Sequence, residues 1–329
     1  MGTQIRKTVI AFAMSCALLL TLPTLAAAGG KQFTPWTDPV HLGEIINSSS
    51  QELNPQLSPD GLSLYFGSNR RGVQGSPFDI WASRRACESC SWEAPVRLGP
   101  DINTPASEGS PAFSRDGRML FFSSSDRPDG MGGDDIWVSH RKNKDDDFDW
   151  GPAVNLGPLV NTVAHEFSPA FLPSKRNRLH TFYFVRSDGD DQNFYETRMT
   201  RHGVPRRLAT LVEELNHPDP LVLDGEPGFR GDGLELVFFS AREPRLGGLD
   251  IWVATRKNLR KPWSNLQNLG APVNTPFADF GAGITFDGRT MFFASAMARG
   301  SLGLQDLWMS TRERICESDD RCSDDDDDD

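Results

Sequence analysis

The chain has 329 residues, 38% of them hydrophobic and 24% charged, and a formal net charge of −11. That length is ample for one large domain with its own core. The acidic balance excludes nucleic acid as a partner, because phosphate recognition needs a basic face.

Residues 1–28 read as a secretory signal. Arg6 and Lys7 give a positive start, Val9 to Leu22 an apolar stretch, and Ala26-Ala27-Ala28 a small-residue cleavage site. The apolar stretch is too short for a good membrane span. Cys16 lies inside it rather than at its end, which argues against a lipid anchor. The expectation is a soluble, monomeric protein without a membrane span, exported to the periplasm or secreted, with one domain over residues 29–316. The tail over 317–329 ends in six aspartates and is predicted to be disordered.

From Trp36 onward the chain repeats. Each unit opens with an acid and carries a proline three residues later: Glu52 and Pro55, Glu108 and Pro111, Glu166 and Pro169, Asp224 and Pro227. In the fifth unit Asp279 is followed by Ala282. The acids are spaced by 56, 58, 58 and 55 residues. An Asp-Gly pair follows at Asp60-Gly61, Asp116-Gly117, Asp232-Gly233 and Asp287-Gly288, while the third unit has the worn Ser174 to Asn177. Asp-Gly between apolar runs predicts a type I′ hairpin.

An apolar run comes next, such as Leu120-Phe121-Phe122-Ser123-Ser124. Then comes Asp-Ile-Trp at Asp79, Asp135 and Asp250, with Asp306-Leu307-Trp308 and Asn193-Phe194-Tyr195 as variants. The unit closes on Trp-x-x-Pro-Val-x-Leu-Gly, as in Trp92 to Gly99. Short runs rich in Phe, Val, Ile, Tyr and Trp read as strands, about four per unit. Four-stranded units at this period predict an all-β, five-bladed β-propeller. The fifth unit lacks its last strand, and Trp36 to Gly43 matches that piece. The N-terminal strand is therefore expected to pair into the last blade and close the ring. All eight tryptophans fall in the third- and fourth-strand positions, where blade-to-blade packing is expected.

Beyond the signal, four cysteines remain: Cys87, Cys90, Cys316 and Cys322. An even number in an exported chain predicts disulfides. Three pairings are open, and the local one, Cys87 with Cys90 and Cys316 with Cys322, is favoured. A redox-active Cys-x-x-Cys would need a helix N-terminus to lower the thiol pKa, and a β-loop is expected here.

The run acid-x-x-Pro-x-Phe-Ser-x-Asp-Gly-x-x-Leu-x-Phe-x-Ser, followed by Gly-Gly-x-Asp-Ile-Trp, resembles the TolB-type, WD40-like β-propeller repeat of bacterial exported proteins. Asn155 to Thr162 and Asn268 to Thr275 resemble the variant found beside peptidoglycan-binding OmpA-like domains. No such second domain is expected in this chain. The resemblance implies a binding or scaffolding module of the cell envelope. The functional expectation is accordingly a non-catalytic propeller that binds a protein, peptide or glycan. The alternative is a glycoside hydrolase-like enzyme, since five-bladed propellers also host glycosidases with channel-facing carboxylates.

The candidate site residues follow from the repeat. Glu52, Glu108, Glu166, Asp224 and Asp279 begin the innermost strands and are expected to ring one mouth of the channel. Such a ring would raise the acids' pKa values or hold calcium, which takes oxygen ligands. The competing expectation is an internal clip, with Asn47, Asn103, Asn161, Asn216 and Asn274 or Arg70, Arg127, Arg186 and Arg242 satisfying the acids. A second candidate is an asymmetric face on blades three and four, containing His165, Asp188, Asp190, Asp191 and His202, with His202 expected at the place of the fourth-strand Trp.

Overall fold

The computed structural model describes residues 32–70, 77–174, 178–189, 191–296 and 300–315. The signal segment, Cys316, Cys322, Asp190 and the acidic tail lie outside the described residues. Five four-stranded antiparallel sheets form the expected five-bladed propeller. The first, innermost strands are Glu52–Leu57, Ser107–Phe113, His165–Leu172, Asp224–Phe229 and Asp279–Ile284. Each blade then runs outward, as in blade one through Ser63–Ser68, Asp79–Arg84 and Val96–Arg97.

The ring closes as the repeat count requires. Val40 pairs with Met309 and His41 with Trp308, so Val40–His41 is the outer strand of blade five. Gln32–Phe33 adds a two-stranded ribbon with Arg314–Ile315. Among the described residues the single α-helix is the four-residue turn Gly43–Ile46, and no helix is long and apolar enough to cross a membrane.

The hairpins differ from expectation. In each Asp-Gly pair only the glycine has positive φ, for example +73° at Gly61 and +68° at Gly117. The turn is a wider one. The amide of Gly61 donates to the carbonyl of Ser58 at 2.9 Å, and Asp60 accepts from the Ser58 hydroxyl at 2.6 Å and the Leu62 amide at 3.1 Å. A type I turn closed by one left-handed glycine needs fewer strained residues than type I′.

The core lies between blades. Tyr65, Ile80 and Leu98 of blade one pack with Phe113, Phe122, Trp137 and Trp150 of blade two, and the other interfaces repeat the pattern. All eight tryptophans take part. Fourth-strand tryptophans are each covered by an arginine: Arg85 over Trp92 at 4.6 Å, Arg141 over Trp150 at 4.6 Å, Arg256 over Trp263 at 4.1 Å and Arg312 over Trp36 at 4.3 Å. Those four arginines also donate to the carbonyls of Gly61, Gly117, Gly233 and Gly288 at 2.7–2.8 Å. One side chain thereby ties the turn between strands one and two to the outer strand.

Trp36 closes the ring through this contact and is 9% exposed. Trp36→Ala is expected to destabilise the protein by about 3–5 kcal/mol, as for other large buried aromatics. Urea unfolding followed by tryptophan fluorescence measures it, and a loss below about 1 kcal/mol would show that closure rests on the backbone pairs alone.

Candidate functional site

All five repeated acids are fully buried. Glu52, Glu108, Glu166 and Asp279 each accept hydrogen bonds from the residue four upstream, and Asp224 accepts one from the His217 amide seven upstream. Glu108 takes the Thr104 amide at 3.1 Å, the Thr104 hydroxyl at 2.5 Å and the Ser124 hydroxyl at 3.0 Å. Asp279 takes the Thr275 amide and hydroxyl and the Ser295 hydroxyl. Arginines add charge pairing: Arg70 to Glu52 at 3.0 Å, Arg186 to Glu166 at 2.6 Å and Arg242 to Asp224 at 2.7 Å. Those arginines lie over Trp81, Tyr195 and Trp252, with the guanidinium carbon 4.4–5.6 Å from the ring centroid.

The repeated asparagines do a different job from the one expected. Asn103 accepts the Ile80 amide at 2.8 Å and donates to the Ile80 carbonyl at 2.9 Å, and Asn161, Asn274 and Asn47 do the same for Ile136, Ile251 and Leu307. They extend the third strand's ladder and leave the acids to Arg, Ser and Thr. Among the described residues no three His, Cys, Asp or Glu side chains converge on a metal position.

The asymmetric face is not brought together. His165 places its Nδ1 2.9 Å from the Asp134 carboxylate, with its own side chain exposed. Asp188 and Asp191 face each other at the exposed tip of the hairpin between Leu179–Asp188 and Asp191–Thr200. His202 lies past the other end of that ten-residue strand, in an exposed turn. A strand of that length spans about 33 Å, so His202 sits on the opposite face of the ring. Nor does it replace a tryptophan: the bridge that Trp150 makes to Arg141 is made in blade three by Pro205 to Met199.

The channel holds a different carboxylate. In every innermost strand the ladder slips between the first and fourth residues after the acid. The residue two after the acid takes a left-handed conformation: Asn54, Ser110, Ser168, Glu226 and Gly281, with φ between +50° and +64°. Proline follows at four of the five and has no N–H to leave unpaired. A bulge of this kind re-aims a side chain, and here all five positions line a narrow waist on the axis. Four are amide, hydroxyl or glycine, and one is an acid.

Glu226 crosses from blade four over Gly281 of blade five and receives a short hydrogen bond from the Asn54 side-chain amide of blade one. A Cβ at position 281 would stand 3.2 Å from Glu226 Oε2, so glycine leaves the room for this crossing. Oε2 is buried without a hydrogen-bond partner. Burial pushes the Glu226 carboxyl from 4.5 up to about 7, against smaller downward pulls from the Asn54 amide and the Gly281 backbone amide. Its remaining exposed surface faces the waist rather than open solvent. Ser168, 4% exposed, also has a hydroxyl without a partner there.

The waist has a volume of about 30 Å³, close to one water's share of liquid volume. It opens into a cavity of about 450 Å³ on the Asp-Gly side of the ring, and Gln56, Pro169 and Pro227 line both. That size is usual for a small-molecule site. All five blades contribute walls, including Asp60, Arg85, Glu88, Ala170, Phe229 and Asp287. Cys87 and Cys90, which flank Glu88, are disulfide-bonded, as the local pairing predicted for these two.

No family model matches the chain, and no curated protein sequence does. Solved structures do. An α-L-arabinofuranosidase from Podospora anserina in complex with cellotriose overlays at a TM-score of 0.54 and 10% identity, covering 86% of this chain and 97% of that one. An α-L-arabinofuranosidase from Lactobacillus brevis overlays at 0.54 and 13%, covering 83% and 92%. An endo-arabinase from Bacteroides thetaiotaomicron overlays at 0.51 and 15%, covering 84% and 98%. A TolB candidate from Agrobacterium tumefaciens reaches only 0.44, too low to carry an argument. At these identities the likeness shows the fold. Several structures sharing this ring over most of their length are arabinofuranosidases or an arabinase, which overturns the preference for a non-catalytic binding or scaffolding module in favour of the glycoside hydrolase-like alternative.

Two stability measurements probe the site. Arg242→Ala leaves Asp224 buried without its cation and is expected to cost about 3–5 kcal/mol, whereas Arg245→Ala, whose partner Glu243 is exposed, costs clearly less. Equal losses in urea unfolding would refute the clip. Glu226 is protonated to higher pH in the folded chain than in the unfolded one. Its contribution is complete below about pH 4.5 and is lost as pH rises through about 7. Glu226→Gln is expected to gain about 2–3 kcal/mol over wild type at pH 8 and little at pH 4. A gain that does not depend on pH would show that Glu226 does not titrate as described.

Proposed function

We propose that this chain is an exported glycoside hydrolase-like enzyme built from TolB-type repeats, with Glu226 donating the proton to a glycosidic oxygen. The observation that carries the reading is the state of Glu226. A glycosidase needs one carboxyl group that stays protonated near neutral pH, and burial in a largely apolar site is how such a group is made. Glu226 is buried in the waist, keeps one oxygen without a hydrogen-bond partner, and stands below a ligand-sized cavity.

The second carboxylate belongs about 6.5–9.5 Å from the first in an inverting enzyme, leaving room for a water. Two residues of strand span about 7 Å. That is the step from Gly281, over which Glu226 lies, to Asp279, but Asp279 is fully buried among hydroxyl and amide donors and lines neither the waist nor the cavity, so its role is structural. Asp60, by contrast, sits at the far end of the innermost strand. There burial would raise its carboxyl, but the Ser58 hydroxyl, the Leu62 amide, Arg84 and Arg141 together hold it below the ordinary value. The names of the fold neighbours suggest arabinan-type glycans as first substrates.

The test is turnover of p-nitrophenyl α-L-arabinofuranoside and a panel of arabino-, xylo- and cello-oligosaccharides. Glu226→Gln is expected to lower kcat by about 10²–10⁴-fold with the fold intact by circular dichroism. Because the acid must carry its proton, wild-type kcat/KM is expected to fall as pH rises through about 7. Unchanged kcat in Glu226→Gln, or no hydrolysis of any substrate by wild type, would sink the proposal.

A further inference from the structure

The cavity that ends at Glu226 has a charge pattern of its own. Three exposed carboxylates stand in its wall: Asp60 and Glu88 on blade one, and Asp287 on blade five. Two arginines share that wall, and both are engaged. Arg85 donates to the carbonyls of Gly61 at 2.8 Å and Glu88 at 2.5 Å, and lies over Trp92. Arg230 pairs with Asp232 at 2.9 Å and Glu235 at 2.5 Å. Asp287 accepts the Thr285 hydroxyl at 2.5 Å and the Arg289 amide at 2.9 Å, with the Arg289 guanidinium at 3.9 Å. The wall from blades two and three carries no charge; it is built from Ala112, Phe113, Ala170, Phe171 and their neighbours.

Glu88 is the carboxylate whose backbone is covalently constrained. It lies within the Cys87–Cys90 disulfide loop, which is further closed by a 2.9 Å hydrogen bond from the Cys90 amide to the Cys87 carbonyl. Its Oε1 lies over the Asp60-Gly61 turn, 3.4 Å from where a Cβ on Gly61 would be. Blade one is the only blade with such a loop among the described residues. At the waist below the cavity, Ser168 is 4% exposed and its hydroxyl has no partner. A buried hydroxyl left unpaired is costly, and a ligand hydroxyl at the waist would remove that cost.

We infer that the cavity selects its glycan by charge, preferring an amine-bearing unit to a neutral one and a neutral one to a uronate, with Glu88 as the selecting side chain and Ser168 as the partner of a ligand hydroxyl. The inference rests on the glycan reading of the cavity above. A protonated amine meets three exposed carboxylates at the rim, which outnumber the two arginines of the wall although Arg85 stands beside Glu88, and a uronate meets like charge. The apolar half of the wall suits the C–H faces of a sugar ring in all three cases.

Binding is measured by calorimetry at pH 6 and low salt with glucosamine trimer, cellotriose and trigalacturonate, using Glu226→Gln to prevent turnover. Each exposed charge contact is worth roughly 2–5-fold. Glucosamine trimer is therefore expected to bind about tenfold tighter than cellotriose, and trigalacturonate weakest. Adding Glu88→Gln is expected to cut the preference by about 2–5-fold, and 0.5 M salt to shrink it further. Adding Ser168→Ala is expected to weaken all three ligands alike by a few fold and leave the order unchanged. Trigalacturonate binding as tightly as cellotriose, or a preference unmoved by Glu88→Gln, would overturn the inference. Binding by none of the three would overturn it together with the glycan reading. The expected order without turnover in wild type would leave the inference standing and remove only the hydrolase proposal.

Discussion

Crowding at the axis governs this molecule. Five innermost strands approach so closely that a Cβ at position 228 would stand 2.6 Å from the Ala282 carbonyl oxygen, and one at 283 would stand 2.5 Å from that of Pro55. The blades cannot retreat, because each shares a buried aromatic core with its neighbour. The position four after each acid is accordingly small in four blades, Ala112, Ala170, Gly228 and Gly283, with Gln56 the exception. The bulge two residues earlier belongs to the same constraint. It bends each strand at the waist and aims one side chain per blade at the axis.

The same crowding decides what the repeated charges can do. A carboxylate at the start of a fully buried strand end has no water to solvate it. It persists because arginine, hydroxyl and amide donors surround it. Each of three arginines then presents its other surface to an aromatic ring of the third strand. Acid, arginine and aromatic form one column from the first strand to the third. In these three blades the acid thus ties the first strand to the third.

The architecture was legible because it is periodic. Asp-Ile-Trp counted the blades, and the displaced Trp36 to Gly43 segment announced the closure seen at Val40 and His41. The site was less legible, for a physical reason. Reading along columns that repeat draws attention to residues doing the same job five times, and those are the structural ones. The informative column lies two residues on, where Asn54, Ser110, Ser168 and Gly281 are joined by one Glu226. That signal was present in the sequence. Its meaning was not, because only the bulge turns the position inward, and a regular strand of the same sequence would have aimed it elsewhere. His202 shows the opposite error: a one-dimensional match to the tryptophan place failed because blade three carries a different loop length before its outer strand.

Glu226 and Gly281 make sense only together. Glycine inside a strand removes side-chain packing and adds chain entropy to be lost, costing roughly 0.5–1 kcal/mol. A buried carboxyl with an unpartnered oxygen costs more. A ring that served folding alone would repeat serine, as blades two and three do, and avoid both. Instead, blade five omits its side chain where blade four's acid crosses, and blade one supplies an amide to receive it. Three blades thus cooperate around one carboxyl at the base of the cavity. Departure from symmetry at a cost in stability is what a site of action leaves in a repeat protein.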